Sequence, residues 1–174
     1  AVTKDGVLVC IHDLTLERTT NVEEVFPDRF VEVKEGPQAG KHWLVNDFTL
    51  AEIKRLDAGS WVDKKFTGAT IPTFQEAIDL VKGKAGLYPE LKDPEFYRDR
   101  KVDQDQLFID IVKKNGLVSD PKTPLIIQSF DDQILKHLAK ALPAVPRVYL
   151  VGGENVSRID SAEKVKEVAA WATG

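Results

Sequence analysis

Three polar groups follow apolar, strand-like runs in this sequence, and each carries side chains that could take part in chemistry. The groups are His12-Asp13 after Val7–Ile11, Glu90-Leu91-Lys92 at the end of Ala85–Leu91, and Gln128-Ser129-Phe130 after Leu125–Ile127. In parallel α/β proteins, active-site groups lie where strands end and the following loops begin. The side chains of His12, Glu90, Lys92 and Gln128 are therefore the candidate site residues.

The types of these side chains suit phosphate chemistry. Side chains alternate along a strand, so Glu90 and Lys92 are expected to point the same way. A carboxylate is a ligand for a hard cation such as Ca²⁺ or Mg²⁺, and an ammonium neutralises a phosphate oxygen. His12 adds a group suited to proton transfer near neutral pH. Together they form the parts of a metal-assisted phosphoester hydrolase.

Each of these residues also has a purely structural interpretation. His12 is explained equally by hydrogen bonding at a strand end, and Glu90 with Lys92 by a surface ion pair of small energy. Gln128 could satisfy backbone groups, and Arg18 could anchor the loop that follows His12. The residues alone indicate an α/β chain with a phosphate or metal site, and they leave the reaction open.

The second half of the chain alternates apolar strands with amphipathic helices. The predicted strands are Ala85–Leu91, Leu125–Ile127 and Arg147–Val151, and the predicted helices begin near Thr49, Thr73, Asp103, Asp131 and Ser161. Strands that are apolar on both faces and alternate with helices predict a parallel sheet with helical crossovers. No Gly-rich nucleotide-binding fingerprint follows a strand, so a (β/α)₈ barrel fits best.

A barrel of this kind usually needs about 250 residues, so the 174 residues are expected to hold only part of one. Residues 22–68 are aperiodic and rich in aromatic side chains. We interpret them as an inserted small subdomain within a single partial barrel domain that covers 1–174. At the N-terminus, Asp5-Gly6 predicts a tight hairpin turn between two short strands.

Composition excludes several classes of protein. The net charge of −4 argues against nucleic acid as a partner and against steady binding to an anionic membrane surface. No apolar run reaches the roughly 20 residues of a membrane-spanning helix. The single cysteine, Cys10, excludes an intramolecular disulfide, and its apolar surroundings predict a core position.

Five segments resemble the glycerophosphodiester phosphodiesterase family, and VEEVFPDRF (Val22–Phe30) and LYPELK (Leu87–Lys92) are similar to its bacterial periplasmic branch. They are TKDGVLVCIHDLTLERTTNV (Thr3–Val22), DFTLAEIKRLDAGSW (Asp47–Trp61), IPTFQEAIDLV (Ile71–Val81), GLYPELKDPEFY (Gly86–Tyr97) and LIIQSFDDQIL (Leu125–Leu135). They occur in the family's order and span nearly the whole chain.

The resemblance implies a (β/α)₈ barrel with a subdomain inserted over its catalytic face. It implies metal-dependent hydrolysis of glycerophosphodiesters to an alcohol and glycerol 3-phosphate, as part of glycerol and lipid metabolism. His12 matches a catalytic acid/base, Glu90 a metal ligand and Lys92 a residue at the phosphate. Gln128 matches a position that lines the site. The expected cofactor is Ca²⁺, with Mg²⁺ as the alternative, and the expected location is the periplasm or the cell exterior.

The sequence also departs from the family pattern. The His-Arg-Gly motif of the first strand, the Glu-x-Asp pair of the second and the later strands are all absent from residues 1–174. We therefore expect both ends to be cut and the chain alone to be inactive. Unpaired strand edges would favour self-association, whereas stable membrane insertion is not expected.

Two alternative functions follow from the same residues. One is a related barrel enzyme of the phospholipase D type that acts on lipid, which requires an exposed apolar rim. The other is a binding module without catalytic activity on the same scaffold, because fold does not determine function.

Overall fold

The chain folds as a mixed α/β protein. The computed structural model describes the backbone of residues 1–174 and every side chain except that of Glu154. The helices are α1 Val22–Val25, α2 Leu50–Ile53, α3 Phe74–Val81, α4 Pro94–Asp99, α5 Gln104–Lys114, α6 Asp132–Ala141 and α7 Ala162–Ala169. The strands are β1 Val31–Val33, β2 Gly40–His42, β3 Ile127–Ser129 and β4 Arg147–Tyr149. Short 3₁₀ helices cover Val45–Asp47, Lys64–Phe66 and Gly153–Arg158.

Two compact units divide the chain, Ala1–Ala77 and Ile78–Gly174. The described strands do not close into a barrel, so the partial (β/α)₈ barrel stays a prediction. The single domain over 1–174 with an insertion at 22–68 is likewise untested. No helix in the described part of the chain combines the length and hydropathy that crossing a membrane demands.

The first unit has its own apolar core, built from the aperiodic segment and the residues that flank it. Its buried members are Val9, Leu16, Val22, Trp43, Val45, Phe48, Ile53, Leu56 and Ile71. β1 and β2 pair antiparallel at the surface, with Val31 opposite His42. The N-terminal hairpin is reduced to a single antiparallel bridge between Val2 and Leu8, and Gly6 supplies the positive φ of the predicted turn.

The second unit contains three parallel segments. β3 pairs parallel with β4, and Ile127 lies opposite Arg147. On the other side of β3, residues 87–91 run parallel to 125–128 through bridges at Leu87 and Glu90. The predicted strand Ala85–Leu91 is therefore present as isolated bridges and not as a continuous strand, while parallel pairing with helical crossovers is observed.

Side-chain caps start the helices where the sequence predicts them. Thr49 and Glu52 form a reciprocal capping box at α2, and Thr73 with Glu76 does the same at α3. The side chains of Asp103, Asp131 and Ser161 each accept a hydrogen bond from a backbone N–H in the first turn of α5, α6 and α7. Each cap satisfies a donor that the helix itself leaves unpaired.

Burial differs from the local apolar pattern of the sequence in three places. Leu80 continues the apolar stripe of α3 but is 71% exposed. Cys10 is exposed and not a core residue. α7 buries none of its own residues, although Ala172 just beyond it is buried. A 3.6-residue period identifies an apolar face, but it does not reveal which neighbour covers that face.

Residues 57–69 form a closed loop, which we call the Asp57 loop. Its ends meet through a 2.7 Å hydrogen bond from the Ala58 N–H to the Ala69 carbonyl. Inside the loop the backbones of Gly59 and Phe66 lie so close that a Cβ at position 59 would be 2.0 Å from the Phe66 carbonyl oxygen. Glycine at position 59 is therefore a steric requirement of the loop.

We expect Gly59→Ala to lower the free energy of unfolding by about 2 kcal/mol, because the backbone must shift to relieve this clash. Chemical denaturation measures the change. Gly68→Ala is the matched control: its Cβ meets no atom within 4 Å, so only the strain of its positive φ remains, about 1 kcal/mol. Equal losses in the two variants would contradict the steric argument.

Candidate active site

The predicted site residues fall in both units. His12 belongs to the first unit, and Glu90, Lys92 and Gln128 belong to the second. The structure brings Glu90 and Gln128 together as partners in a parallel bridge. His12 contacts Asp13, a neighbouring residue of the first unit.

His12 lies at the head of a chain of charged contacts. Its Nδ1 is 2.6 Å from Oδ1 of Asp13, and the Nε of Arg18 donates to Oδ2 of Asp13 over 2.5 Å. Because an ionised carboxylate only accepts hydrogen bonds, this contact keeps the proton of a neutral imidazole on Nδ1. The basic nitrogen is then Nε2, on a side chain that is 65% exposed. Such a histidine can take or give a proton at its outer edge.

The loop after His12 is fixed by the rest of the first unit. Leu16 donates its N–H to the Trp43 carbonyl, and Val45 donates to the Leu14 carbonyl, both over 2.9 Å. The Thr20 hydroxyl donates to the Leu16 carbonyl over 2.7 Å. The prediction that Arg18 anchors this loop is confirmed by its bond to Asp13, which fixes the carboxylate beside His12.

The charge of Arg18 also stabilises the ionised form of Asp13. Its hydrogen bond, assisted by that of His12, lowers the pKa of Asp13 to about 2 from an ordinary value of 3.8. Below pH 3.8 the Asp13 carboxylate is mostly protonated in the unfolded chain but still ionised in the folded protein. The contribution of Asp13 to stability is therefore complete above about pH 4 and is lost as the pH falls toward 2.

We expect Asp13→Asn to remove this pH-dependent part of the stability, about 1 kcal/mol, since Arg18 is exposed and solvent screens the pair. The measurement is urea unfolding of both proteins between pH 2 and 6. The stability difference should be largest above pH 4 and should shrink toward pH 2. A difference that does not change with pH would contradict the assignment.

In the second unit, Glu90 and Gln128 lie on neighbouring parallel segments, and Gln128 lies inside β3 and not after the strand as predicted. The Gln128 N–H donates to the Pro89 carbonyl over 3.0 Å, and the Leu91 N–H donates to the Gln128 carbonyl over 2.9 Å. Leu91 is buried, while Glu90 and Lys92 are half-buried, a burial pattern that fits the predicted alternation. The half-buried Gln128 lies next to Glu90 across the bridge.

The chain turns sharply directly after Lys92. Asp93 adopts a left-handed conformation with φ of 49° before Pro94 begins α4. Non-glycine residues adopt this conformation at a cost of about 1–2 kcal/mol, and it is disfavoured again before proline. The backbone carbonyl of Lys92 accepts a hydrogen bond from the buried Gln104 side chain over 3.4 Å. The turn ends the extended segment directly after Glu90 and Lys92. The sequence pattern did not predict it.

The described residues supply only some of the ligands that a divalent cation needs. Ca²⁺ takes six to eight oxygen ligands and Mg²⁺ six. Glu90 offers one carboxylate and Gln128 an amide oxygen, and among the described residues no group of three or more His, Cys, Asp or Glu side chains gathers into a metal site. The described residues do not form a complete cation site on their own.

The two other histidines, His42 and His137, each have a carboxylate partner. His42 Nδ1 lies 2.8 Å from Glu17, and its Nε2 lies 2.7 Å from the Gln38 carbonyl oxygen. The hydrogen bond with the Gln38 carbonyl, assisted by that with Glu17, raises the pKa of His42. His137 Nδ1 lies 2.9 Å from Asp105. In both cases the carboxylate comes from a different part of the chain, 25 residues away for His42 and 32 for His137.

Comparison of the whole sequence with known families gives a single consistent result. Residues 1–174 match the profile of the glycerophosphoryl diester phosphodiesterase family. The glycerophosphodiester phosphodiesterase of Bacillus subtilis is 31% identical over 182 residues, which cover 99% of this chain and 54% of the relative. That of Haemophilus influenzae is 31% identical over 165 residues, 82% of this chain and 43% of the relative. The chain spans about half the length of the curated relatives it matches.

Comparison with solved structures also finds phosphodiesterases. A phosphodiesterase from Oleispira antarctica in complex with the product sn-glycerol-3-phosphate superposes with a TM-score of 0.66 and 27% identity, covering 98% of this chain and 67% of the other. A glycerophosphodiester phosphodiesterase from Agrobacterium tumefaciens gives a TM-score of 0.57 and 29% identity, covering 84% of this chain and 50% of the other.

Proposed function

Because this chain belongs to the glycerophosphoryl diester phosphodiesterase family, we propose that the protein hydrolyses glycerophosphodiesters to an alcohol and glycerol 3-phosphate. The observation that carries the proposal is the accessible His12, oriented by Asp13 within the segment that resembles the family's hallmark. A phosphodiester needs a proton on its leaving alcohol, and His12 is placed to supply or remove one.

His12 acts as the acid/base in this proposal. In its protonated form, Nε2 donates to the oxygen of the departing alcohol; in its neutral form, the same nitrogen accepts a proton from the attacking oxygen. Asp13 is a positioning residue, since it fixes the ring and stabilises the imidazolium without contacting substrate. Arg18 holds Asp13 in turn, so the three residues form one ordered unit.

Glu90, Lys92 and Gln128 would act on the phosphate side of the reaction. Glu90 would supply one carboxylate to a divalent cation, Ca²⁺ or Mg²⁺, whose bound form would polarise the phosphoryl oxygens. Lys92 would neutralise a phosphate oxygen, and Gln128 would contribute an amide beside Glu90. Since the described residues supply only part of a cation site, we propose that further ligands come from parts of the protein outside residues 1–174.

Four further proposals accompany this function. The chain alone is expected to be inactive, because residues 1–174 hold neither the His-Arg-Gly motif nor the Glu-x-Asp pair. The partial (β/α)₈ barrel, its self-association through open strand edges and a periplasmic or secreted location are likewise proposals, supported by the family's sequence blocks.

The test of the function is alcohol release from glycerophosphocholine by the intact protein that contains this chain, with Ca²⁺ present. We expect activity that a chelator abolishes and that added Ca²⁺ restores, and none from residues 1–174 alone. A protein that releases no alcohol across several head groups and cations would refute catalysis and favour a binding module.

A further inference from the structure

Residues 87–92 carry the two charged side chains of the candidate site, and they pair with the segment that includes β3 through an incomplete backbone ladder. The N–H groups of Leu87 and Leu91 each donate to a carbonyl of that neighbouring segment, over 2.8 and 2.9 Å. The donor expected between them is residue 89, which is a proline and has no N–H. The ladder therefore lacks one bond directly before Glu90.

A buried side chain continues this ladder where the backbone pairing ends. The carbonyls of Leu87 and Pro89 accept hydrogen bonds from backbone N–H groups of the neighbouring segment, both over 3.0 Å. The next carbonyl in this series is that of Leu91, and it accepts from the hydroxyl of Ser129 over 2.6 Å. Ser129 is 1% exposed, so the bond lies away from solvent and holds the end of the segment.

The Ser129 hydroxyl completes the anchoring of the peptide groups on both sides of Leu91. Leu91 donates its N–H to the Gln128 carbonyl, and its own carbonyl accepts from Ser129. These two groups belong to the peptide bonds that join Leu91 to Glu90 and to Lys92. Because each peptide unit is planar, holding both of them constrains the backbone from which the two charged side chains extend.

Further contacts hold the chain on the other side of Lys92. The buried Gln104 side chain donates to the Lys92 carbonyl over 3.4 Å. The Arg98 guanidinium donates to the Asp131 carboxylate over 2.8 Å, and the Asp131 N–H donates to the Ser129 hydroxyl over 3.1 Å. Ser129 therefore links the extended segment to the residue that caps α6.

We propose that Ser129 is a positioning residue of the candidate site, whose hydroxyl holds the backbone that presents Glu90 and Lys92. This role rests on the proposed function, in which those two side chains act on the phosphate. Neighbouring side chains of a strand point to opposite faces, so Ser129 faces away from Gln128 and acts through the backbone alone. The start of α6 has a cap of its own, because the Asp131 carboxylate accepts from the Ile134 N–H over 2.8 Å.

The test is Ser129→Ala in the intact protein. Contacts with the phosphate that the bound substrate and the transition state share affect KM more than kcat. We expect KM for glycerophosphocholine to rise about tenfold, because small misplacements of binding groups are costly, and kcat to change by less than about threefold. Hydrogen exchange of the backbone amides of residues 90–93, followed by mass spectrometry, should become at least about fivefold faster.

Thr123→Val is the matched control. Thr123 is fully buried, and its hydroxyl accepts from the Gly83 N–H over 2.7 Å at the other end of the same two neighbouring segments. The variant therefore also loses a buried hydrogen bond between a hydroxyl and the backbone. We expect chemical denaturation to give similar losses of stability for the two variants, while Thr123→Val keeps the native KM and the native exchange rates at residues 90–93.

An unchanged KM in Ser129→Ala, or an equal rise of KM in Thr123→Val, overturns the positioning role and leaves Ser129 a structural residue. If the native protein releases no alcohol, it is the proposed function that fails, and hydrogen exchange then decides the inference by itself. Unchanged exchange at residues 90–93 in Ser129→Ala would show that Ser129 does not hold the segment. Faster exchange there, with native rates in Thr123→Val, supports the role of Ser129 in holding it.

Discussion

Replacing His12 by alanine in the intact protein lowers the rate of alcohol release from glycerophosphocholine about a thousandfold, because general acid–base catalysis contributes roughly 10²- to 10⁴-fold. The imidazole is 65% exposed and held by Asp13, so its removal takes away the proton donor without opening a cavity in the core. The kcat and KM of the purified variant, with its urea unfolding curve, measure the effect. Stability should change little while kcat falls.

His137→Ala is the matched control, because His137 is also exposed and also pairs with a carboxylate, Asp105. We expect it to retain native activity. Asp13→Asn should give an intermediate loss in kcat, since it leaves the histidine in place but removes the charge that orients it. A His12→Ala protein with more than a tenth of native activity would show that His12 is structural.

The helices of this chain could be predicted because the signals that start them are local. Thr49 and Thr73 each stand three residues before a glutamate, and both pairs form capping boxes. Asp103 and Asp131 cap their helices through single hydrogen bonds within the same turn. A cap and the helix it begins are encoded within about four residues, so no knowledge of distant contacts is needed.

Burial and strand continuity could not be predicted in the same way. Leu80 fits the apolar period of α3 and is nevertheless exposed, and Ala85–Leu91 has the composition of a strand but forms only isolated bridges. Both outcomes depend on which neighbour lies beside the element, and that is a tertiary property. The local sequence determines which secondary structure a segment prefers, and its neighbours in the fold determine whether that structure forms and which residues are buried.

Parts of the candidate site were visible in the sequence and parts were not. His12, Glu90 and Gln128 stand at the ends of apolar, strand-like runs in the sequence, and the bridge between Glu90 and Gln128 follows from parallel pairing. The left-handed turn at Asp93 and the hydrogen bonds of Asp57 carry no comparable signal. Asp57 accepts hydrogen bonds from residues up to eleven positions away, so its role can be recognised only in the folded loop.

The second large effect is expected at Glu90. Glu90→Gln keeps the size of the side chain and the backbone bridge to Gln128, but it removes the negative charge that a hard cation requires. We expect kcat/KM for glycerophosphocholine in the intact protein to fall about a hundredfold at low Ca²⁺. Activity is measured across a Ca²⁺ titration, and Ca²⁺ affinity is measured by calorimetry.

The titration separates the two interpretations of Glu90. If Glu90 is a metal ligand, the amide that replaces it still offers one oxygen, so the variant should bind Ca²⁺ with lower affinity. Excess Ca²⁺ should then restore part of the lost activity. If Glu90 were only a surface charge, the variant would keep native affinity and gain nothing from added cation. Glu95→Gln controls for loss of charge, because Glu95 is exposed in the first turn of α4, only five residues further along the chain. Native activity in Glu95→Gln with Ca²⁺-dependent rescue in Glu90→Gln would identify Glu90 as a metal ligand.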